Sequence, residues 1–262
     1  MAIKKEVKKE VETEKERERE IERVIREAFC PDEAVCVGSD VCNNPQAAEE
    51  LLELCAYAAL DGVSLVAIYI PTGEVVAVAF NKIQVPADDS TEKSFFERFA
   101  EERCTQESAR SLINFMANVD ERCNLFEKYE YPFRYNVDCS LEIMFLATLR
   151  EHRRHGLGTL LCKESIRLAA KLRNGVVHGM TPEDLGAKYS NLLPQELPKT
   201  YPKICQAILT SKASQKVGAA LDFTVDLRVS YEEFVFDGKT YADRIGPLSP
   251  CCELVSKMVH AI

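Results

Sequence analysis

The sequence of 262 residues contains no apolar run that approaches the roughly 20 residues a transmembrane helix needs. Its first residues are charged where a secretory signal peptide would carry an apolar segment, so we expect a cytoplasmic protein without a membrane partner. A surplus of positive charge is also lacking. The net charge of −9 argues against general binding to nucleic acid, because phosphates favour a basic surface.

The eleven cysteines include no C-x-x-C pair, the spacing that is typical of a zinc site. Cys251 and Cys252 are adjacent, an arrangement that suits neither metal binding nor an easy disulfide. We therefore expect buried, reduced thiols and no bound metal ion.

Length and charge divide the chain into a tail and one domain. Residues 1–19 are rich in charge and predict a tail or helical extension, in which opposite charges three residues apart, such as Glu16 and Arg19, support a solvated helix. The composition of residues 20–262 is that of an ordinary globular protein, and their number is sufficient for one domain with a buried core.

The hydrophobic pattern alternates between helical and strand periods. Helices are predicted over residues 21–29, 45–60, 91–128, 158–172 and 214–221. Strands are predicted over residues 63–70, 74–80, 140–149, 204–210, 224–236 and 252–259. The two strands of the first hairpin are apolar on both faces, which predicts a sheet with helices on both sides.

The segment Leu149–Thr159, Leu-Arg-Glu-His-Arg-Arg-His-Gly-Leu-Gly-Thr, lies between a predicted strand and a predicted helix. A glycine-bearing turn at the start of a helix directs backbone N–H groups and the positive end of the helix dipole to one point, which favours an anion. Gly156 and Gly158 remove the Cβ atoms that would keep a pyrophosphate from the backbone. Local positive charge comes from Arg150, Arg153 and Arg154.

This segment differs from two common phosphate-binding motifs. It is not a G-x-x-x-x-G-K-[ST] loop, and it lacks the three glycines of a dinucleotide fingerprint. Considered alone, it is also compatible with an ordinary turn that has a basic surface.

The segment resembles the acetyl-CoA signature [QR]-x-x-G-x-[GA] of GNAT acetyltransferases, with Arg153, Gly156 and Gly158 at the defining positions. The resemblance implies an α+β fold with a mixed, mostly antiparallel sheet of about six or seven strands, splayed between the family's strands 4 and 5, with helices on both faces. It also implies acetyl-CoA as the cosubstrate. The residues implied to contact acetyl-CoA are Leu146, Ala147, Thr148, Arg153, Arg154, His155, Gly156, Leu157, Gly158 and Thr159.

Shorter segments are similar to insect arylalkylamine N-acetyltransferases. Residues 29–33, Phe-Cys-Pro-Asp-Glu, resemble their F-x-x-D-E-P segment, residues 61–67 their second strand, and residues 210–216 their hydroxyl-rich turn after the fifth strand. Ala34 replaces the family's proline. Asp222 replaces a glycine, but aspartate tolerates the left-handed conformation that glycine would adopt.

A primary alkylamine has a pKa of about 10, so a base must remove a proton before the amine attacks a thioester. The resemblance implies that Glu33 is this base. The alternative is a surface carboxylate in a turn that ends a helix. The resemblance also places the hydroxyls of Thr210 and Ser214 near the departing thiolate, and for both of them helix capping is the alternative.

The activity implied by the resemblance is transfer of an acetyl group from acetyl-CoA to the primary amine of a small molecule. We expect the protein to act as a monomer. An arylalkylamine such as dopamine, tryptamine or octopamine is the implied acceptor. The alternatives are a polyamine or agmatine acetyltransferase and a catalytically idle CoA-binding protein. Aromatic residues in the pocket would favour the arylalkylamine, and extra carboxylates would favour the polyamine.

Overall fold

The computed structural model describes residues 15–86, 94–130, 137–175, 178–192 and 196–260. The strands in these ranges are β1 (Leu65–Tyr69), β2 (Glu74–Gln84), β3 (Ser140–Thr148), β4 (Ile204–Leu209), β5 (Thr224–Ser230), β6 (Val235–Phe236), β7 (Lys239–Thr240) and β8 (Cys251–Met258). Six of them form one sheet in the order β1-β2-β3-β4-β8-β5, and β6 pairs with β7 separately. Only β3 and β4 are parallel within that sheet, so the predicted mixed, mostly antiparallel sheet is confirmed.

The sheet opens between β3 and β4. Their ladder pairs only Ser140–Glu142 with residues 204–206, whereas β3 remains paired with β2 as far as Thr148. The two parallel strands therefore separate towards their carboxyl ends. In this chain the splay lies between the third and fourth strands, because the described residues contain no strand before β1.

A β-bulge in β3 lies where the splay begins. Phe80 of β2 pairs with Phe145, but the next residue, Asn81, pairs with Ile143, so Met144 is the extra residue. A bulge changes the direction of the side chains that follow it. Ile143 accordingly packs with Cys162 on one face of the sheet, while the Phe145 ring lies on the other face.

Helices cover both faces of the sheet, as predicted. The described helices are α1 (15–29, of which Ile25–Phe29 is a π turn), α2 (Ala34–Gly38), α3 (Pro45–Ala59), α4 (Phe95–Glu102), α5 (Glu107–Arg122), α6 (Leu125–Glu130), α7 (Leu157–Leu172), α8 (Lys212–Ala220) and α9 (Tyr241–Ile245). Apolar residues of α7 pack on one face, and those of α1, α3 and α5 form the larger core on the other. None of these helices combines the length and apolarity of a membrane span.

Capping residues define several helix starts. The Asn44 side chain accepts a hydrogen bond from the Ala47 amide at 3.2 Å, and Pro45 occupies the first position of α3, as expected for a helix start. Helix α1 runs without a break through the predicted domain boundary between residues 19 and 20. Residues 1–14 of the predicted tail lie outside the described residues.

Two expectations about the elements were wrong. Strand β1 is not covered on both faces, because the side chains of Val66 and Ile68, which lie on one face, are 40% and 44% exposed. The strand predicted over 224–236 ends at Ser230, where the chain turns so that Tyr231 enters the core. The helical periodicity predicted over 91–128 is confirmed within residues 94–128, where α4, α5 and α6 lie, and the Ser94 capping box starts α4.

The short helices α2 and α9 pack closely on each other. A Cβ atom built at Gly38 would lie 2.6 Å from Cδ2 of Tyr241, a buried ring that is stacked on Phe115. Only a residue without a side chain fits between these two helices.

Gly38→Ala is therefore expected to lower the free energy of unfolding by about 1–3 kcal/mol through overpacking, as measured by urea denaturation. Gly175→Ala is the control, because its Cβ would approach no atom closer than the Lys171 carbonyl oxygen at 3.6 Å. Equal stability of the two variants would contradict this packing.

Candidate active site

A cavity of about 540 Å³ occupies the opening between β3 and β4. Its walls come from the ends of both strands, the start of α7, the start of α8, the turn between α1 and α2, and α5. Most of the predicted site residues line it, namely Glu33, Leu146, Ala147, Thr148, Arg153, Arg154, Gly156, Leu157, Gly158, Thr159, Thr210 and Ser214.

His155 is the predicted site residue that the cavity does not include. It is exposed, and its Nδ1 atom lies 3.2 Å from the carbonyl oxygen of His152. The ring of His152, which does line the cavity, packs against Tyr69 at a centroid distance of 5.1 Å. His152, and not the predicted His155, is therefore the histidine of this loop that lies on the cavity wall.

The loop before α7 has the geometry of an anion site. Gly156 is the N-cap residue with φ 77°, a left-handed conformation that favours glycine, and no side chain caps the helix. The amide groups of the first turn are therefore left without a capping side chain beside the cavity. The open edge of β3 at Leu146–Thr148 faces the same space, since its ladder with β4 has already ended.

Two of the three arginines predicted to charge this loop are paired with one carboxylate. Asp32 accepts hydrogen bonds from Arg150 at 2.5 Å and lies 2.7 Å from Nη2 of Arg153. The hydrogen bond with Arg150, together with the charge and hydrogen bond of Arg153, holds the pKa of Asp32 below its usual value. The positive charge of the loop is thus partly compensated, which the spacing of the arginines did not reveal.

Arg153 also ties three parts of the wall together. Its Nε donates to the Thr148 carbonyl oxygen at 3.0 Å, and its Nη2 donates to the Ala28 carbonyl oxygen at 3.2 Å. The guanidinium therefore fixes the loop against the end of β3 and the end of α1. Arg154, with φ 64°, is not paired in this way with Asp32.

Glu33 begins a helix instead of ending one. It is the N-cap of α2, and its Oε2 accepts a hydrogen bond from the Cys36 amide at 2.6 Å. Its Oε1 is buried and has no hydrogen-bond partner among the described residues. The carboxylate is held in one orientation on the cavity wall, with one oxygen left to accept a proton or a hydrogen bond.

The hydroxyl groups of Ser214 and Thr210 differ in their partners. Ser214 forms a capping box with Ser211, the true N-cap of α8, and its Oγ donates to the Ser211 carbonyl oxygen at 2.9 Å. The Thr210 carbonyl oxygen accepts a hydrogen bond from the Tyr231 hydroxyl at 2.6 Å. Its own hydroxyl makes no hydrogen bond within the described residues. Capping thus accounts for Ser214 and leaves Thr210 available.

The inner wall of the cavity is apolar and was only partly predicted. Leu112 and Met116 belong to the buried face of α5, and they line the cavity as well as the core. Phe29, Met144 and Phe145 complete this wall. Helical periodicity had indicated core positions on α5, but it contains no signal that a buried face also borders a cavity.

No family model and no curated protein sequence matches this chain. Solved structures do match. Arylalkylamine N-acetyltransferase 2 from Aedes aegypti has a TM-score of 0.65 and 20% identity, covering 93% of this chain and 94% of that chain. Arylalkylamine N-acetyltransferase 7 from the same mosquito has a TM-score of 0.66 and 18% identity, covering 93% of this chain and 84% of that chain. An agmatine N-acetyltransferase has a TM-score of 0.60 and 12% identity, covering 92% of this chain and 94% of that chain. These likenesses confirm the GNAT fold that the sequence predicted.

The Asp32 pairs predict a pH-dependent stability. A carboxyl whose pKa is lower in the folded state adds stability above its unfolded pKa of about 3.9, and this stability is lost as the pH falls through the lowered value. Asp32→Asn is therefore expected to be less stable than the wild type at pH 7, and the difference should narrow below about pH 4.

Denaturant unfolding over a pH series measures this difference. Asp237→Asn serves as control, because the Asp237 side chain is 85% exposed and lies 4.0 Å from its nearest guanidinium. A gap between wild type and Asp32→Asn that stays constant with pH would show that the Asp32 carboxylate is not held by its arginines.

Proposed function

We propose that this chain is an acetyl-CoA-dependent N-acetyltransferase that acetylates the primary amine of a small molecule. The observation that carries the proposal is the opening between β3 and β4, which brings an uncapped helix start, an open strand edge and the carboxylate of Glu33 onto one cavity. Neighbours of this fold include acetyltransferases for arylalkylamines and for agmatine.

The residues at one end of the cavity fit the CoA part of the cosubstrate. The amides that follow Gly156, at the positive end of the α7 dipole, would hold the pyrophosphate. The backbone of Leu146–Thr148 would pair with the amide groups of the pantetheine arm, since it lacks β4 as a neighbour. Arg154, which lines the cavity and lies outside the Asp32 pairs, would add positive charge beside the phosphates.

Glu33 fits the role of base for the amine. Its Oε1 has no other hydrogen-bond partner, and its Oε2 is fixed by the Cys36 amide. Glu33 would take a proton from the alkylammonium, directly or through water, and the neutral nitrogen would then attack the thioester carbonyl carbon. A C–N bond forms and the C–S bond breaks, and the nitrogen loses one further proton as it becomes an amide. The sulfur leaves as a thiolate, and an equivalent proton converts it to the thiol of free coenzyme A.

Thr210 is the better candidate of the two hydroxyl residues to assist the thiolate. Its hydroxyl is free of hydrogen bonds within the described part of the chain, and the Tyr231 hydroxyl holds the Thr210 carbonyl in place. Ser214 would have to break its bond to the Ser211 carbonyl oxygen before it could donate. We therefore assign Ser214 to shaping the start of α8, and Thr210 to the sulfur.

Glu33→Gln should keep the cap of α2, because the glutamine side-chain oxygen can still accept from the Cys36 amide, and remove the base. We expect kcat/KM at neutral pH to fall by about 10²–10⁴, with acetyl-CoA affinity unchanged. Thiol release with a panel of amines measures kcat/KM, and calorimetry measures the affinity for acetyl-CoA.

Two results would count against this assignment. A Glu33→Gln enzyme with normal kcat/KM would exclude Glu33 as the base. A wild-type protein that binds acetyl-CoA but acetylates no amine would support the alternative of an idle CoA-binding protein.

Gly158→Leu tests the cosubstrate site. A Cβ at Gly158 would lie 3.6 Å from Cδ2 of Leu146, so the backbone tolerates a side chain, but a leucine would extend into the cavity. We expect the Kd for acetyl-CoA to rise at least about tenfold. Gly175→Leu, at an exposed glycine, should leave it unchanged. Normal affinity in a folded Gly158→Leu protein would place acetyl-CoA elsewhere.

A further inference from the structure

The turn that follows β5 carries a tyrosine into the core beside the cavity. Ser230 caps this turn, which comprises Tyr231–Glu233, and the Tyr231 amide donates to the Pro250 carbonyl oxygen at 3.1 Å. The Tyr231 side chain is fully buried, and its ring packs against Phe115 with the centroids 5.9 Å apart. Main-chain and ring contacts therefore fix the position of the hydroxyl at the end of this side chain.

The Tyr231 hydroxyl meets the chain where β4 ends. It donates to the Thr210 carbonyl oxygen at 2.6 Å. The antiparallel ladder between β4 and β8 ends one residue earlier, at Leu209 and Glu253, so the Thr210 carbonyl has no partner in that ladder. A carbonyl away from water needs a hydrogen bond, and the tyrosine supplies it where the sheet no longer does.

The peptide group between Thr210 and Ser211 is held at both of its ends. Its carbonyl oxygen accepts from Tyr231, and its N–H donates to Oγ of Ser214 at 3.0 Å. These two hydrogen bonds fix the backbone that follows the Thr210 Cα atom. Threonine is branched at Cβ and restricted in χ1, so a fixed backbone leaves its hydroxyl few positions. The direction of the Thr210 hydroxyl thus depends on groups outside its own side chain.

The Tyr231 hydroxyl remains a donor at neutral pH. Burial, and then the charge of Glu33, raise the pKa of Tyr231 well above its usual value. A neutral phenol has a single proton to donate, and here the Thr210 carbonyl oxygen accepts it. The hydrogen bond that holds this carbonyl therefore does not depend on pH in the range in which an acetyltransferase would work.

We propose that Tyr231 is a positioning residue for acetyl transfer, which holds the Thr210 carbonyl so that the Thr210 hydroxyl stays directed at the departing sulfur. This inference rests on the proposed acetyltransferase function and adds a residue that does not line the cavity. As the C–S bond breaks, the Thr210 hydroxyl donates a hydrogen bond to the developing thiolate and keeps its proton. Tyr231 touches neither substrate and acts through Thr210.

A double-mutant cycle tests this dependence. Tyr231→Phe keeps the ring on Phe115 and removes the donor, and Thr210→Val keeps the branched shape and removes the hydroxyl. We expect each change to lower the rate of acetyl transfer at least about tenfold, because a hydrogen bond to a charged group is lost or misdirected. In the Thr210→Val background, Tyr231→Phe should change the rate by less than about twofold.

The rate is measured in a single turnover, with enzyme in excess over acetyl-CoA, so that product release does not contribute. Thiol release is followed with the fastest acceptor among dopamine, tryptamine, octopamine and agmatine. Calorimetry should give the same Kd for acetyl-CoA in the wild type and in Tyr231→Phe, because the proposed phosphate and pantetheine contacts lie on β3 and α7. A purely structural defect of the cavity would instead raise this Kd.

Tyr241→Phe is the matched control. Tyr241 is also buried and packs on the same Phe115 ring, with the centroids 5.8 Å apart. Its hydroxyl lies 2.8 Å from Oγ of Ser111 and not at the end of β4. Both variants lose one hydrogen bond in the same part of the core, so they should lose similar stability in urea. Only Tyr231→Phe should lose rate.

The outcomes separate the two proposals. A Tyr231→Phe rate equal to that of the wild type, or one that falls by the same factor with and without the Thr210 hydroxyl, would overturn the positioning role and leave the acetyltransferase standing. A wild type that acetylates no amine would overturn both. If Tyr231→Phe does not fold, Ser214→Ala removes the other hydrogen bond of the same peptide group and must show the same dependence on Thr210. Without that dependence, the positioning of Thr210 is refuted.

Discussion

The early end of the ladder between β3 and β4 is the constraint on which the site depends. After three paired residues the strands separate, and the backbone of β3 beyond Glu142 loses one neighbour. Buried backbone groups need hydrogen-bond partners, so such an edge persists in a folded protein only beside water or a ligand. The bulge at Met144 lies at this point, and the cavity, the α7 loop and the start of α8 are arranged around it.

Ion pairs and caps hold the rest of the wall in place. Arg153 connects the end of α1, the end of β3 and Asp32, and Asp32 is next to the capping residue Glu33. The segment proposed to bind phosphates is therefore joined to the residue proposed as the base. A phosphate that competes with Asp32 for the guanidiniums would act directly on the turn that carries Glu33.

Local patterns in the sequence were sufficient for much of the fold and for the loop. The helical period of the apolar residues in 45–60, together with Asn44 and Pro45 at its start, predicted α3. Gly156, predicted in the turn before α7, adopts a left-handed conformation as the N-cap of that helix. Sequence spacing could not show that Asp32 neutralises Arg150 and Arg153, because 118 residues separate Asp32 from Arg150. Local patterns reflect neighbours along the chain, whereas these ion pairs exist only once the turn after α1 has packed against the loop before α7.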